Sequence, residues 1–217
     1  MHNIIFFGPP GAGKGTQARI LSKKLNIPHL STGEILRKIS EEQDEVGNKL
    51  KQIMDEGLLV SDELITNIVE KRIYMKDCEK GFIFDGFPRT IVQTKNLEKI
   101  LNKISKKIDY VIQINIPENI LLKRITGRFV CKNCLEVYNK FFDPIPLNGC
   151  RICGKNETIL RDDDDEKSLV IRLQKYNQET KPLLKYYEDQ KVLNHINGDD
   201  TSEIISKSIF DIISNFK

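Results

Sequence analysis

A glycine-rich segment near the start of the chain carries the residue types that bind phosphate. It reads GPPGAGKGT over residues 8–16, after an apolar run and before a helical pattern. Glycines allow the backbone N–H groups to turn toward an anion, and the N-terminus of the helix adds positive potential. Lys14 would reach the terminal phosphates of a nucleotide. The segment therefore predicts a phosphate-binding loop.

One position departs from the strict form of this motif. A Ser or Thr normally follows the lysine, but here Gly15 stands in that place and Thr16 comes next. The hydroxyl that would contact Mg²⁺ is displaced by one residue. We therefore expect Mg²⁺ to be held through the phosphates, water and a carboxylate from elsewhere. Asp85 suits that role because it ends a predicted strand, and parallel strands bring their carboxyl ends to one edge of a sheet.

Arginines suggest that a second phosphate must be bound. Arg89 belongs to the segment FDGFPRT (84–90), and Arg37 ends the segment STGEILR (31–37). The planar guanidinium group donates two parallel hydrogen bonds to phosphate. A P-loop switch protein needs one such arginine at most, so many arginines favour a site where two phosphorylated substrates meet. The further candidates are Arg124, Arg128, Arg161 and Arg172.

Four cysteines have the spacing of a metal site, C-x₂-C-x₁₅-C-x₂-C: Cys131, Cys134, Cys150 and Cys153. This spacing is typical of tetrahedral zinc, and iron in the same cage is an alternative. Four thiol ligands fill the coordination shell and leave no position for a reacting water, so the site is predicted to be structural. A zinc ribbon that binds nucleic acid stays open as an alternative, although the basic and aromatic residues here are few and mixed with acids.

The elements that position these groups alternate between strands and helices. Strands are predicted at 3–7, 82–84, 110–116 and 192–196, and helices at 14–25, 34–43, 46–56, 62–74, 90–101, 118–126, 166–188 and 203–214. Strands separated by helices imply a parallel sheet covered on both faces, an α/β fold. Residues 127–165 show no helical period and are predicted to form a small β-rich insert.

Bulk composition narrows the class of protein. The 217 residues are 39% apolar and 30% charged, with a net charge of +3. Lys and Arg are spread along the chain, which argues against nucleic-acid binding as the main task. No apolar run approaches the length of a membrane span and no signal peptide is visible. Cysteines at metal spacing also suit a reducing compartment, so a cytoplasmic location is expected.

Taken together, GPPGAGKGT, STGEILR, DGFPRT with Gln93, and the pair Gly127–Arg128 followed by Val130 resemble the adenylate kinase family. The resemblance spans essentially the whole chain. It implies a three-layer P-loop fold that transfers phosphoryl reversibly from Mg·ATP to AMP to give two ADP, and it suggests a monomer. It also implies three parts: a parallel-sheet core (1–30, 61–126 and 165–217), a helical flap that binds the nucleoside monophosphate (31–60), and a β-rich lid that bears zinc (127–164).

The resemblance also implies roles for individual residues. The phosphates of ATP would be held by Gly11, Ala12, Gly13, Lys14, Gly15 and Thr16, and further ATP contacts would come from Arg128, Val137, Tyr138 and Asp200. The AMP pocket would comprise Thr32, Arg37, Leu58, Leu59, Val60, Gly86, Phe87, Pro88, Arg89, Gln93, Arg161 and Arg172. The charge of the transferring phosphoryl would be neutralised by Lys14, Arg89, Arg124, Arg128, Arg161 and Arg172, with Asp163 and Asp164 contacting ATP or orienting the lid arginines.

A kinase of another nucleoside monophosphate, UMP, CMP or GMP, is the nearest alternative. Base choice depends on few contacts, and the residues that favour AMP are Thr32 and Gln93. A P-loop switch and a nucleic-acid-binding zinc ribbon are the alternatives from other classes. Neither explains the set of arginines beside the phosphate-binding loop.

Overall fold

A computed structural model of the chain describes residues 2–42, 44–161 and 163–215. In the N-terminal half, strands and helices follow in this order: β1 (His2–Phe7), α1 (Lys14–Leu25), β2 (His29–Ser31), α2 (Thr32–Ser40), α3 (Glu45–Asp55), α4 (Asp62–Ile73), β3 (Gly81–Asp85) and α5 (Ile91–Lys103). The second half contains β4 (Tyr110–Asn115), α6 (Glu118–Thr126), β5 (Arg128–Cys131), β6 (Val137–Asn139), β7 (Thr158–Ile159), α7 (Glu166–Lys175), α8 (Leu183–Asp189), β8 (Leu193–Asn197) and α9 (Ser202–Asn215).

The core is a five-stranded sheet in the order β2-β3-β1-β4-β8, with every neighbouring pair parallel. Alternate residues of β1 enter different apolar clusters: Ile5 and Phe7 pack on one side with α4, α5 and α8, whereas Ile4 and Phe6 pack on the other with α1 and α9. Both faces of the sheet are therefore covered by helices, as predicted. The carboxyl ends of β1 and β3 lie at one edge, where they deliver the phosphate-binding loop and Asp85.

The β-rich insert is a three-stranded antiparallel sheet in the order β6-β5-β7. Its small core contains Cys131, Tyr138 and Cys150. Two short helices, α2 and α3, form the other appendage and pack against each other. Among the helices of the described residues, none has the length and apolar character needed to cross a bilayer.

Two predicted elements differ from the structure. The single helix expected over 166–188 is interrupted: α7 ends at Lys175, a wider π-helical turn covers Tyr176–Thr180, and α8 begins after Pro182. Proline lacks the N–H group that would continue the helical ladder, which explains the break. The helix expected over 34–43 runs instead from Thr32 to Ser40, and Gln43 lies outside the described residues.

The sequence reading also missed one strand. β2 contains only three residues, and it is held by pairing in parallel register with β3, Ser31 opposite Asp85. Its sequence, His-Leu-Ser, has a single apolar residue and so shows neither an apolar run nor an alternating pattern. The pairing matters for the site because Ser31 then caps α2 by accepting a hydrogen bond from the N–H of Glu34.

Candidate functional site

The glycine-rich loop joins β1 to α1 and surrounds the amine of Lys14. Gly11 and Gly13 have φ angles of 83° and 91°, which a residue without a side chain adopts at little cost. Lys14 Nζ donates hydrogen bonds to the carbonyl oxygens of Gly8 (2.7 Å) and Pro9 (2.9 Å). Burial lowers the pKa of Lys14 to about 8, with a contribution from nearby arginines. An anion beside this amine would favour its protonated form.

Asp85 lies directly beside this loop. A Cβ atom added at Gly15 would lie 3.1 Å from Asp85 Oδ2, so the glycine that replaces the usual Ser or Thr makes room for the carboxylate. Burial alone would raise the pKa of Asp85, but His29 and Lys14 outweigh it and hold the pKa at about 2. An ionised carboxylate next to a phosphate-binding loop fits a Mg²⁺ ion that is held partly by phosphate oxygens.

The turn after β3 places Arg89 near the loop. Gly86 adopts a φ of 84°, and a Cβ atom there would lie 2.9 Å from Thr32 Oγ1 and 3.0 Å from Arg89 Nη2. Arg89 Nε donates to the Gly86 carbonyl oxygen at 2.8 Å. Thr32 Oγ1 donates to the same carbonyl oxygen at 2.9 Å, so the first residue of α2 and Arg89 are both hydrogen-bonded to Gly86. The peptide between Phe87 and Pro88 is cis.

Burial, followed by the charge of Arg172, lowers the pKa of Arg89 to about 10. The guanidinium group therefore lies in an environment that disfavours its own charge. A phosphate dianion would relieve that cost. The Thr180 hydroxyl donates to the Arg89 carbonyl oxygen at 3.0 Å and holds the turn from the opposite side. Thr180 was not predicted as a site residue, because a threonine within a long helical pattern gives no such signal.

Two aspartates at the end of the lid bind three of the predicted arginines. Asp163 Oδ2 lies 3.0 Å from Arg172 Nη1 and 3.9 Å from Arg37 Nη1. Asp164 accepts hydrogen bonds from Arg128 through both carboxylate oxygens, and its side chain is only 3% exposed. These contacts join the helical flap, the lid and α7. Asp162, from the same acidic run, lies outside the described residues.

Arg161 differs from its neighbours because its guanidinium group forms no hydrogen bond or ion pair with the described residues, although its carbonyl oxygen accepts from the Asp164 N–H at 3.1 Å. Burial, then the charges of Arg128 and Arg37, lowers its pKa to about 9. Over the described residues, this centre combines six cations with three carboxylates: Lys14, Arg37, Arg89, Arg128, Arg161 and Arg172 with Asp85, Asp163 and Asp164. The surplus positive charge suits phosphate groups.

Arg124 and Asp200 lie apart from this centre. Arg124 Nη2 donates to the Gly198 carbonyl oxygen at 2.9 Å, and its Nη1 lies 3.5 Å from the Ala12 carbonyl oxygen. Burial lowers the pKa of Arg124. Asp200 is exposed in the turn between β8 and α9 and accepts from Asn197 Nδ2 at 3.1 Å. Arg124 is thus positioned between the phosphate-binding loop and this turn, and its role in neutralising the transferring group stays a prediction.

The four cysteines converge in the lid, with their Sγ atoms within 4.8 Å of one another. Cys131 and Cys153 Sγ are 3.5 Å apart, and Cys134 and Cys150 Sγ are 3.4 Å apart. Both separations exceed the ~2.05 Å of a disulfide and approach the ~3.8 Å edge of a tetrahedron with Zn–S bonds of ~2.3 Å. The donor set and spacing therefore fit a zinc ion.

Val137 and Tyr138 lie on β6 beside this cluster. The side chain of Tyr138 is 1% exposed, its hydroxyl donates to Cys150 Sγ at 3.2 Å, and it accepts from the Arg151 N–H at 2.7 Å. The tyrosine side chain therefore supports the cysteine cluster. A contact of Tyr138 with a nucleotide would have to use its backbone, whereas the side chain of Val137 is partly exposed.

A partly open cleft lies between the glycine-rich loop and the turn after β3. Lys14, Gly86, Pro88, Arg89, Leu59 and Arg172 line it, together with Lys175, Tyr176 and Thr180, which were not predicted. Gly57 lies at its wall, where an added Cβ atom would lie 3.2 Å from Arg172 Cγ. Val60 is buried, whereas Leu58 is 41% exposed.

Both appendages contact the core around this cleft. Arg19 on α1 donates to the Leu135 carbonyl oxygen of the lid at 2.6 Å and also forms an ion pair with Glu34 of the flap. The contact between Arg37 and Asp163 joins the flap directly to the lid. Both appendages therefore contribute residues to the cationic centre.

A family model described as adenylate kinase matches residues 6–192. An adenylate kinase of Archaeoglobus fulgidus is 45% identical over 216 residues, which are 99% of each chain. One from Syntrophomonas wolfei is 47% identical over 197 residues, 90% of this chain and 91% of its own. Another, from Clostridium botulinum, is 42% identical over 215 residues, 99% of each chain.

Proposed function

The chain belongs to the adenylate kinase family, and from this premise we propose that it transfers a phosphoryl group reversibly between Mg·ATP and AMP, giving two ADP. The observation that carries the proposal is the cleft with a phosphate-binding loop on one side, the Arg89 turn on the other and a surplus of cations between them. The phosphates of one nucleotide would neutralise only part of this positive charge. Two phosphorylated substrates account for it.

The residues suit direct transfer without a protein nucleophile. An oxygen of the AMP phosphate attacks the γ-phosphorus of ATP, the bond to the β,γ-bridging oxygen breaks, and ADP leaves. Charge spreads over the equatorial oxygens of the transferring group in the transition state. Lys14 would contact the donor phosphates, and Arg89 the acceptor phosphate. Arg128, Arg161 and Arg172 would surround the group in transit, so catalysis is positioning plus fixed positive charge.

Asp85 would help to hold the Mg²⁺ ion that accompanies ATP. Mg²⁺ neutralises charge on the β- and γ-phosphates and orients them. The low pKa of Asp85 keeps the carboxylate ionised at any physiological pH. The absence of a side chain at Gly15 leaves that carboxylate close to the loop.

Closure of the flap and the lid would protect the transferring group from hydrolysis. Bulk water competes with AMP as the acceptor, and a site closed by both appendages excludes it. The contacts of Arg19 and Asp163 stabilise such an arrangement. We expect opening of the lid, rather than the chemical step, to limit turnover.

The lid would hold zinc through Cys131, Cys134, Cys150 and Cys153, with a structural role. Four thiolates complete a tetrahedral shell, and the small apolar core of the lid needs such additional stabilisation. Free cysteines at metal spacing also support a cytoplasmic location. We further propose that the enzyme acts as a monomer without nucleic-acid partners, which sedimentation and a titration with labelled RNA would test.

A panel of acceptors tests the assignment of AMP. With Mg·ATP as donor, ADP formation is measured with AMP, UMP, CMP and GMP at equal concentrations. We expect AMP to give the highest kcat/KM. A higher value for one of the other three would assign the chain to a different acceptor within the same reaction class.

A further inference from the structure

Asp62, the first residue of α4, is joined by short hydrogen bonds to the predicted base-binding residue Gln93. Asp62 Oδ1 accepts from Gln93 Nε2 at 2.7 Å and from Thr90 Oγ1 at 3.0 Å. Gln93 Oε1 in turn accepts from the backbone N–H of Arg89 at 2.7 Å. The glutamine side chain is 3% exposed. Both ends of its amide are therefore bound by protein groups.

These two partners determine which way the amide points. A backbone N–H can only donate, so it must face the carbonyl oxygen of Gln93. An ionised carboxylate can only accept, so it must face the NH₂ group. A flipped amide would set NH₂ against N–H at one end and oxygen against carboxylate at the other. The orientation thus follows from the chemistry of the neighbours.

Asp62 also fixes the rotamer of Thr90. The Thr90 hydroxyl donates its proton to Asp62, which turns an oxygen lone pair toward the backbone N–H of Gln93, 3.1 Å away. Thr90 thereby caps α5, the helix that carries Gln93. One carboxylate oxygen consequently positions both the amide and the start of its helix.

A fixed amide can distinguish purines. Each end of the Gln93 amide keeps one unused bonding position, a lone pair on Oε1 and a hydrogen on Nε2. Adenine presents a donor (N6) beside an acceptor (N1) on its Watson–Crick edge, whereas guanine presents an acceptor (O6) beside a donor (N1). The two edges have opposite order, so an amide held in one orientation matches only one of them in a given base position.

We propose that Asp62 is a positioning residue that sets acceptor specificity by locking the Gln93 amide in the orientation that matches adenine. The inference rests on the proposed function, in which Gln93 contacts the AMP base. Asp62 itself would not touch the nucleotide. Loss of its acceptor oxygen would leave the Arg89 N–H as the one remaining partner of the amide among the described residues, so the flipped orientation would be sampled more often, which weakens adenine binding and admits guanine.

The test measures kcat and KM for AMP and for GMP in Asp62→Ala, Asp62→Asn and Glu63→Ala. The asparagine keeps an acceptor oxygen and should stay near the wild type. Glu63 is the exposed acid next to Asp62 in the first turn of α4, so its alanine variant controls for loss of charge at the N-terminus of the helix. We expect Asp62→Ala to lower the AMP-to-GMP ratio of kcat/KM about 10-fold, mainly through a higher KM for AMP.

A ratio for Asp62→Ala within twofold of that for Glu63→Ala would overturn the inference. A thermal melt of each variant checks folding. Asp62→Ser, which suits a helix start but is too short to reach Gln93, replaces the alanine variant if that one unfolds. The measurement on the wild type separates the two proposals. A wild type that does not prefer AMP over GMP contradicts the assignment of AMP as acceptor. A wild type that prefers AMP, with the same AMP-to-GMP ratio of kcat/KM in Asp62→Ala, contradicts only the role of Asp62.

Discussion

Replacement of Arg161 by methionine should stabilise the ligand-free protein and at the same time remove most of its activity. Methionine keeps an apolar stem of similar volume but carries no charge. In the structure, Arg161 is partly buried, lies near the charges of Arg128 and Arg37, and forms no ion pair with another described residue. Its charge is therefore a cost to the folded state that bound phosphate would relieve.

The size of that cost follows from the lowered pKa. A fall from 12.5 to about 9 corresponds to about 5 kcal/mol between the charged and neutral forms. Because the side chain keeps some contact with water, we expect only about 1–2 kcal/mol to appear in the free energy of unfolding. For a chain of this size the melting temperature of Arg161→Met should rise by about 3–6 °C.

Activity should change in the opposite direction. The loss of a cation beside the transferring phosphoryl should lower kcat about 10³-fold. The increase in melting temperature on adding ADP should also become smaller, because the variant has less uncompensated charge for phosphate to relieve.

Differential scanning fluorimetry and a coupled kinase assay measure these effects. Arg72→Met is the matched control, since Arg72 is paired with Asp77 at 2.6 Å outside the cleft; it should lower stability slightly and leave turnover unchanged. A lower melting temperature for Arg161→Met, or a kcat within about 10-fold of the wild type, would refute the reasoning.

Three further predictions concern the loop and the lid. Mg·ATP should raise the pKa of Lys14 from about 8. Calorimetry in two buffers should therefore detect uptake of about 0.1 proton on binding at pH 7 and about 0.9 proton at pH 9. Equal proton uptake at the two pH values would contradict the burial of this amine. Tyr138→Phe removes the hydroxyl that donates to Cys150 Sγ, so this variant should lose metal to a chelator about 10-fold faster than the wild type. Tyr187→Phe, at another buried tyrosine, is the control and should lose metal at the wild-type rate. Equal rates for the two variants would exclude a role for the Tyr138 hydroxyl. Leu135→Gly should stabilise the lid by about 1 kcal/mol, because Leu135 adopts a φ of 59°; a lower melting temperature would show that its side chain contributes more than the strain costs.

Local patterns predicted much of the fold. The continuous apolar runs in β1, β3 and β4 identify buried strands, and the glycine-rich loop follows the first of them as its motif requires. The helix break at Pro182 and the short strand β2 were missed. β2 depends on its pairing with β3. Pro182 marks a helix break in the sequence, but it does not show that a π-helical turn precedes the break.

In the candidate site too, residues within motifs were predicted, whereas residues whose role depends on tertiary contacts were not. Motifs identified residues that present a charge or a glycine turn, such as Lys14, Arg89 and Gly86. They did not identify Asp62 or Thr180, whose roles depend on hydrogen bonds to residues 31 and 91 positions away in the chain. Ser or Asp at the start of a helix is expected as a cap, and only the folded structure shows that Asp62 also binds Gln93.

The destination of the γ-phosphoryl group tests the central claim most directly. The protein is mixed with Mg²⁺, AMP and ATP labelled at the γ-phosphate, and the products are separated at short times. We predict that the label appears in the β-phosphate of ADP formed from AMP, with negligible inorganic phosphate and no label transfer when AMP is omitted. Labelled inorganic phosphate released at a rate independent of AMP would contradict the account.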